Sequence, residues 1–134
     1  MSWRERLDKA TVFLRTAEEA GRNGDWDSAT SRSYYAAFHS GVAFLEQHPS
    51  QRRKRPGQEW KEREVKASLA EHFRAKVRGA QRLHSLFQGL LEERVVADYH
   101  AGTIGRKRGQ KSIQDARVLV EAITNELKRL GQWE

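Results

Sequence analysis

The sequence predicts an all-α fold, an antiparallel bundle of four or five helices. Apolar residues recur at intervals of three and four along five segments, and no alternating strand pattern of useful length occurs. Proline is found only at Pro49 and Pro56, and most glycines lie between the periodic segments. Short connections between such segments favour antiparallel packing of neighbouring helices.

The five predicted helices cover residues 2–20, 25–47, 58–78, 83–99 and 112–130. Ser2 is expected to cap the first helix, Gly21 and Gly24 to end it, and Asp25 to cap the second. The second helix carries a line of small residues and a separate bulky apolar line, so we expect it at the centre of the bundle. Residues 101–111, rich in glycine and basic residues, are predicted to form a loop.

Several classes of protein and site are excluded or disfavoured by composition. The sequence has no cysteine, which excludes disulfides, thiolate catalysis and cysteine-ligated zinc. Its five histidines lack the spacing of a helical metal site, so we expect no metal and no cofactor. The first residues carry charges, and no stretch reaches the roughly 18 apolar residues of a membrane span. We therefore expect a cytoplasmic protein, folded as one domain over residues 1–134, with no membrane partner.

Positive charge is concentrated in parts of the chain. The net charge is +7, and residues 51–82 alone hold eleven Lys and Arg against four Asp and Glu. Such local excess attracts polyanions, although basic residues also simply solubilise exposed segments. The residues that we expect to contact phosphates form two predicted loops: Arg52, Arg53, Lys54 and Arg55 in one, and Arg106, Lys107, Arg108 and Lys111 in the other.

Arg94 is the most informative position, because it interrupts the apolar line of the fourth predicted helix. A buried guanidinium is costly unless it is paired, and Asp98 lies one turn later. Two interpretations stay open. Arg94 and Asp98 form a structural pair inside the bundle, or this helix face lines a cleft or subunit interface in which Arg94 binds a phosphate.

His100 and a second polar pair are further candidates. Six helical steps place His100 roughly 120° from Arg94, so the two side chains meet only if the helix ends there or a second subunit intervenes. On the second predicted helix, Tyr35 and His39 lie one turn apart on one face. A pair of this kind is more often a satisfied polar contact in the core than a functional site.

Two passages resemble the HEPN superfamily, and in particular its small stand-alone bacterial members, which are relatives of HepT-like toxins. The first comprises Asp25-Trp-Asp-Ser-Ala29 and Ser31-Arg-Ser-Tyr-Tyr-Ala-Ala-Phe-His39. The second is Arg94-Val-Val-Ala-Asp-Tyr-His100, which is similar to the Arg-x(4–6)-His ribonuclease motif of the superfamily. The order and spacing of the predicted helices also agree with that family.

The resemblance implies a dimeric, metal-independent ribonuclease in which Arg and His from two subunits meet in a shared cleft. Carried over, Arg94 would stabilise the charge on the reacting phosphate and His100 would act as general base or acid. Asp98, Tyr99, Tyr35 and His39 would support them. The implied partners are RNA, a second copy and a nucleotidyltransferase antitoxin. The alternative is a non-catalytic HEPN module that binds a nucleotidyltransferase, a nucleotide or RNA.

Overall fold

The computed structural model describes residues 2–47, 60–74, 79–100 and 102–129, with residues 72–74 described by their backbone alone. These ranges contain five helices and no strand: α1 (Trp3–Arg22), α2 (Trp26–Gln47), α3 (Glu62–Arg74), α4 (Ala80–Tyr99) and α5 (Arg106–Arg129). The prediction of an all-α helical bundle is therefore confirmed.

Helix α2 is the central element, as its two apolar lines predicted. It contacts each of the other four helices. Its Tyr34 and Phe44 are fully buried, and they join Phe87 of α4 and Leu119 of α5 in the main core. Burial of each large apolar side chain stabilises the fold by about 1.5–3 kcal/mol, so the apolar residues of α2 help to stabilise the whole bundle.

A capping residue marks the start of both α1 and α2. The Ser2 hydroxyl accepts a hydrogen bond from the Glu5 N–H (3.2 Å), and the Asp25 carboxylate accepts one from the Ser28 N–H (3.2 Å). Hydrogen bonds from Ser28 lower the pKa of Asp25, because they stabilise its charged form. Both caps were predicted from the sequence.

The end of α1 differs from the prediction, because Gly21 lies inside the helix. The helix continues to Arg22, and the turn follows at Gly24, whose φ is +75°. Gly21 is needed for packing instead: a Cβ there would lie 2.9 Å from Cζ3 of Trp26. The prediction that Gly21 ends the helix is therefore wrong, because this glycine allows the indole to approach α1 closely.

The start of α5 is the largest correction. The helix begins at Arg106, so residues 106–111 of the predicted loop form most of its first two turns, whereas residues 102–105 are not helical. Gly109 lies within these turns and is buried against Trp26, where a Cβ would come within 2.5 Å of the indole. Close packing against Trp26 of α2 therefore explains why residue 109 is a glycine. From the sequence alone, the same glycine predicts a loop.

The other predicted boundaries shift by a few residues. Helix α3 begins at Glu62 rather than at residue 58, and α4 begins at Ala80 rather than at residue 83. The predicted end of the third helix at residue 78 and the predicted basic loop around residues 51–55 lie outside the described residues. Among the described helices, none is both long and apolar enough to span a membrane.

Candidate functional site

The guanidinium of Arg94 lies between α4, α3 and α2. Its Nη2 donates to Glu62 Oε1 on the first turn of α3, and its Nη1 lies 3.6 Å from Asp98 Oδ2. Its central carbon is 4.7 Å from the centre of the Tyr34 ring. The Arg94 side chain is 14% exposed, against 41% for Glu62. Arg94 is thus a largely buried cation that its own chain neutralises.

The electrostatics of this cluster keep Arg94 charged and Tyr34 neutral. Burial acts against the charged guanidinium, but Glu62, with smaller contributions from Tyr34, Tyr35 and Asp98, holds the pKa of Arg94 above its ordinary value. Burial, and then the negative charge of Glu62, raises the pKa of Tyr34. The Tyr34 hydroxyl therefore stays protonated at neutral pH. The Tyr34 ring faces the guanidinium and attracts it through a cation–π interaction.

One N–H donor of the Arg94 guanidinium, at Nε, is buried and has no hydrogen-bond acceptor among the described residues. A guanidinium that holds two carboxylates through its terminal nitrogens and leaves Nε unpaired still has capacity for another acceptor. Because Nε is shielded from solvent, an acceptor reaches it only after a neighbouring side chain moves.

His100 lies at the end of α4 and faces solvent. Its backbone N–H donates to the carbonyl of Val96 (2.8 Å), which completes the last turn, and the residue is exposed. No hydrogen bond or ring contact among the described residues joins it to Arg94. The structure therefore brings Arg94 to Asp98, as the spacing predicted, but does not bring Arg94 to His100 within one chain.

The last two turns of α4 also expose apolar side chains. Val95 is 41% exposed and Tyr99 is 76% exposed, and they lie one turn apart. The third large hydrophobic residue exposed in the described part of the chain, Val12, lies on α1. Val95, Tyr99 and His100 thus form an uncovered surface next to Arg94, which we call the α4 end surface.

Both candidates on α2 pack on Phe13 of α1, and Tyr35 also borders this cluster. Tyr35 borders a cavity of about 310 Å³ that Glu62 and Trp60 also line. His39 lies between α1 and α2, where its ring stacks on Phe13 with the centroids 5.4 Å apart. The Tyr35 ring lies 5.6 Å from the same Phe13 ring, so the two residues share one helix face, as their spacing predicted.

His39 is held as a neutral acceptor. Its Nδ1 lies 3.4 Å from Nη1 of the buried Arg6, whose Nε donates to Glu46 (3.3 Å). Burial, with the charges of Lys9 and Arg6, lowers the pKa of His39 to about 4. A neutral imidazole that accepts from Arg6 matches the interpretation of a satisfied core contact.

The model of the HEPN domain family matches residues 3–127, which include both α2 and the end of α4. The chain belongs to the HEPN domain family. HEPN domains act as ribonucleases or bind nucleotides, and they often form dimers. A comparison with curated proteins found no match.

The predicted RNA-contacting residues of this HEPN domain fall into three groups. Arg52, Arg53, Lys54 and Arg55 lie outside the described residues. On α5, Arg108 is paired with Glu93 (2.8 Å) and Lys111 with Asp115 (2.6 Å). Arg106 and Lys107 are exposed and form no ion pair with another described residue.

Glu62 is the residue of this site that the sequence analysis missed. It lies 32 residues before Arg94 and on a predicted helix whose background is highly charged, so no spacing rule singles it out. The available signal was indirect: a buried Arg requires a carboxylate, and the sequence does not show whether Asp98 alone meets that need. Within the described residues, no three His, Asp or Glu side chains converge as metal ligands.

Proposed function

We propose that this HEPN protein is a metal-independent, toxin-like endoribonuclease of the cytoplasm, with Arg94 and His100 in a site that two copies share. The observation that carries the proposal is the α4 end surface. Helix α4 buries Leu83, Phe87 and Leu90, yet its last two turns leave Val95, Tyr99 and His100 uncovered beside the Arg94 cluster. A second copy packed on this surface would bring its own α4 end to that cluster.

The proposed chemistry divides between the two side chains. His100 takes the proton from the ribose 2′-hydroxyl, whose oxygen then attacks the adjacent phosphorus while the bond to the 5′-oxygen breaks and that oxygen takes a proton from water. Arg94 stabilises the negative charge that builds on the phosphate oxygens, because its planar fork suits bidentate contact with phosphate. Asp98 and Tyr99 orient these groups, and Tyr35 supports Glu62 and Tyr34 from the side of the cavity.

Glu62 occupies Arg94 in the isolated chain, and the proposal requires the RNA phosphate to replace it. The Glu62 side chain is 41% exposed, so its carboxylate can turn into solvent, and the phosphate then takes its place beside the largely buried Arg94. Asp98 and the Tyr34 ring remain with the guanidinium. Glu62 is thus an internal carboxylate that competes with phosphate for the same cation.

The direct test is incubation of the purified protein with transfer RNA or total RNA in the presence of EDTA. Cleavage by the wild type that His100→Ala abolishes supports the proposal. No cleavage at any protein concentration, or equal cleavage by His100→Ala, contradicts it.

A second candidate function is a non-catalytic HEPN module that binds a nucleotidyltransferase. The observation that favours it is the neutralisation of Arg94 by Glu62 and Asp98, because a structural ion pair needs no phosphate. This candidate predicts no cleavage in EDTA, together with co-purification of a nucleotidyltransferase from the native host. A nucleotidyltransferase antitoxin is the proposed partner of the ribonuclease as well, so co-purification alone does not separate the two functions.

A further inference from the structure

A groove of about 550 Å³ opens where the end of α1 meets the starts of α2 and α5. Its size falls in the range of small-ligand sites. It is distinct from the Arg94 cluster, with which it shares no residue. The charged, aromatic and amide side chains that line it are Arg22, Arg106, Arg117, Glu18, Trp26 and Gln110.

The groove carries a net positive charge. Arg22, Arg106 and Arg117 line it, and Glu18 is the one carboxylate among its described lining residues. Arg117 is paired with Glu18 (3.0 Å). Arg22 and Arg106 are exposed and form no ion pair or hydrogen bond with another described residue, so two guanidinium groups are available for an anion.

An aromatic wall accompanies these charges. The indole of Trp26 is partly buried and lies against Gly21 and Gly109, the two glycines that allow α1 and α5 to approach it. Gln110, one turn after Arg106, adds an amide that can donate and accept. Guanidinium groups beside an aromatic ring and an amide suit a nucleotide, which offers a phosphate, a base face and base edges.

The groove lies at the same end of the bundle as His100. The Gly102 N–H donates to the carboxylate of Asp27 (2.8 Å), the residue that follows Trp26. This hydrogen bond holds the chain after α4 close to the start of α2. His100 precedes Gly102 by two residues, and Arg106 lies only six residues after His100. Those six residues span at most about 20 Å, so one short RNA strand can reach both places.

We propose that this groove is a subsite for a nucleotide of single-stranded RNA. Arg22 and Arg106 bind backbone phosphates, Trp26 contacts a base and Gln110 a base edge. The role of the subsite in guiding the strand to His100 rests on the proposed ribonuclease function, whereas the binding itself does not.

The first test compares two double variants of equal charge change. Arg22→Glu with Arg106→Glu alters the groove, and Arg15→Glu with Arg82→Glu alters exposed positions outside it. Binding of a short fluorescent oligouridylate is measured by anisotropy, with His100→Ala in every protein to prevent cleavage. We expect the groove variant to bind at least about tenfold more weakly, with a salt slope lower by roughly 1.4 for two lost phosphate contacts. Equal losses in the two double variants, or no loss in the groove variant, would overturn the subsite.

The second test measures the contact of the Trp26 indole with a base. Tryptophan fluorescence of the His100→Ala protein is followed during titration with the same oligouridylate, and again after Trp26→Phe, which keeps an aromatic ring between the two helices. We expect quenching that Trp26→Phe removes, while circular dichroism confirms that the variant is folded. Quenching of equal size in the Trp26→Phe protein would overturn the contact between Trp26 and a base.

These tests separate the subsite from the ribonuclease. If the wild type cleaves no RNA but the groove variant selectively loses binding, the proposed catalysis fails and the subsite stands. If the wild type cleaves RNA and the groove variant binds as tightly as its charge-matched control, the subsite fails and the ribonuclease stands.

Discussion

Arg94 on α4 and Glu62 on α3 form an ion pair between the two helices. The centre of the Tyr34 ring lies 4.7 Å from the guanidinium carbon of Arg94. The pair joins α3, which among the described helices packs on α4 and α2, to α4. It also places a carboxylate where the proposed mechanism needs a phosphate. Stability and activity therefore make opposite demands on Glu62.

Replacement of Glu62 by Gln is expected to destabilise the fold and to accelerate RNA cleavage. Arg94 would keep only Asp98 as a charged partner, and because Glu62 is partly exposed the free energy of unfolding should fall by about 1–2 kcal/mol. The same change removes the competitor of phosphate, so cleavage at subsaturating RNA should become faster. Urea denaturation and an EDTA cleavage assay measure the two effects.

The control for this variant is Glu93→Gln, which removes a carboxylate from the surface pair with Arg108. We expect a much smaller loss of stability and no gain in cleavage. A Glu62→Gln protein that is destabilised yet cleaves no faster than Glu93→Gln would assign the Arg94–Glu62 pair a structural role only.

Tyr99→Asp is expected to convert a dimer into a monomer without unfolding it. Tyr99 is 76% exposed, so a carboxylate there costs the monomer little, whereas in a packed interface it would be an unpaired buried charge. Light scattering at tens of micromolar protein measures the mass. Val12→Asp places the same charge at another exposed hydrophobic residue, which lies on α1 and is 48% exposed, and should leave the dimer intact. A wild-type monomer at this concentration would count against the shared site.

His39 is expected to make the fold less stable in mild acid. Its pKa is about 4 in the folded chain and near 6.5 in the unfolded chain, so the unfolded state binds the proton first as the pH falls. This contribution is fully present above pH 6.5, falls as the pH drops towards 4, and amounts to at most about 3 kcal/mol. Urea denaturation between pH 7 and 4.5 should show a smaller decline for His39→Gln, which keeps an acceptor for Arg6. Parallel declines would contradict the neutral, buried imidazole.

Two glycine-to-alanine changes should have opposite effects on stability. At Gly109 a Cβ would lie 2.5 Å from the Trp26 ring, so Gly109→Ala should destabilise the fold by about 1–3 kcal/mol. At Gly89, within α4, nothing lies within 4 Å of an added Cβ, and Gly89→Ala should stabilise by about 0.5–1 kcal/mol. Thermal melts of the two variants measure both. A neutral Gly109→Ala would show that the start of α5 does not pack on Trp26 as described.

The sequence predicts what periodicity and local chemistry determine. The two apolar lines of α2 predict its central position, Ser2 and Asp25 predict the caps, and the four-residue interval predicts the contact of Arg94 with Asp98. In each case the partners lie within one helix turn or share one helix face, so spacing alone brings them together.

What the sequence does not predict depends on contacts between distant residues. Gly109 fits a helix only because Trp26, far away in the chain, fills the space of its missing side chain. Glu62 becomes the partner of Arg94 only when α3 packs on α4, and the groove of Arg22 and Arg106 exists only when α1 and α5 meet at Trp26. No residue interval encodes such pairings, so a single sequence leaves them open.

The most direct test of the central claim, that Arg94 and His100 act in a site shared by two copies, is complementation between two inactive variants. Arg94→Gln and His100→Ala are purified separately, mixed under conditions of subunit exchange that native mass spectrometry confirms, and assayed for RNA cleavage in EDTA. We expect each variant alone to be inactive and the mixture to recover a substantial part of the wild-type rate, because the mixed dimer holds one intact Arg94 opposite one intact His100. Exchange without any recovery of cleavage would contradict the shared site.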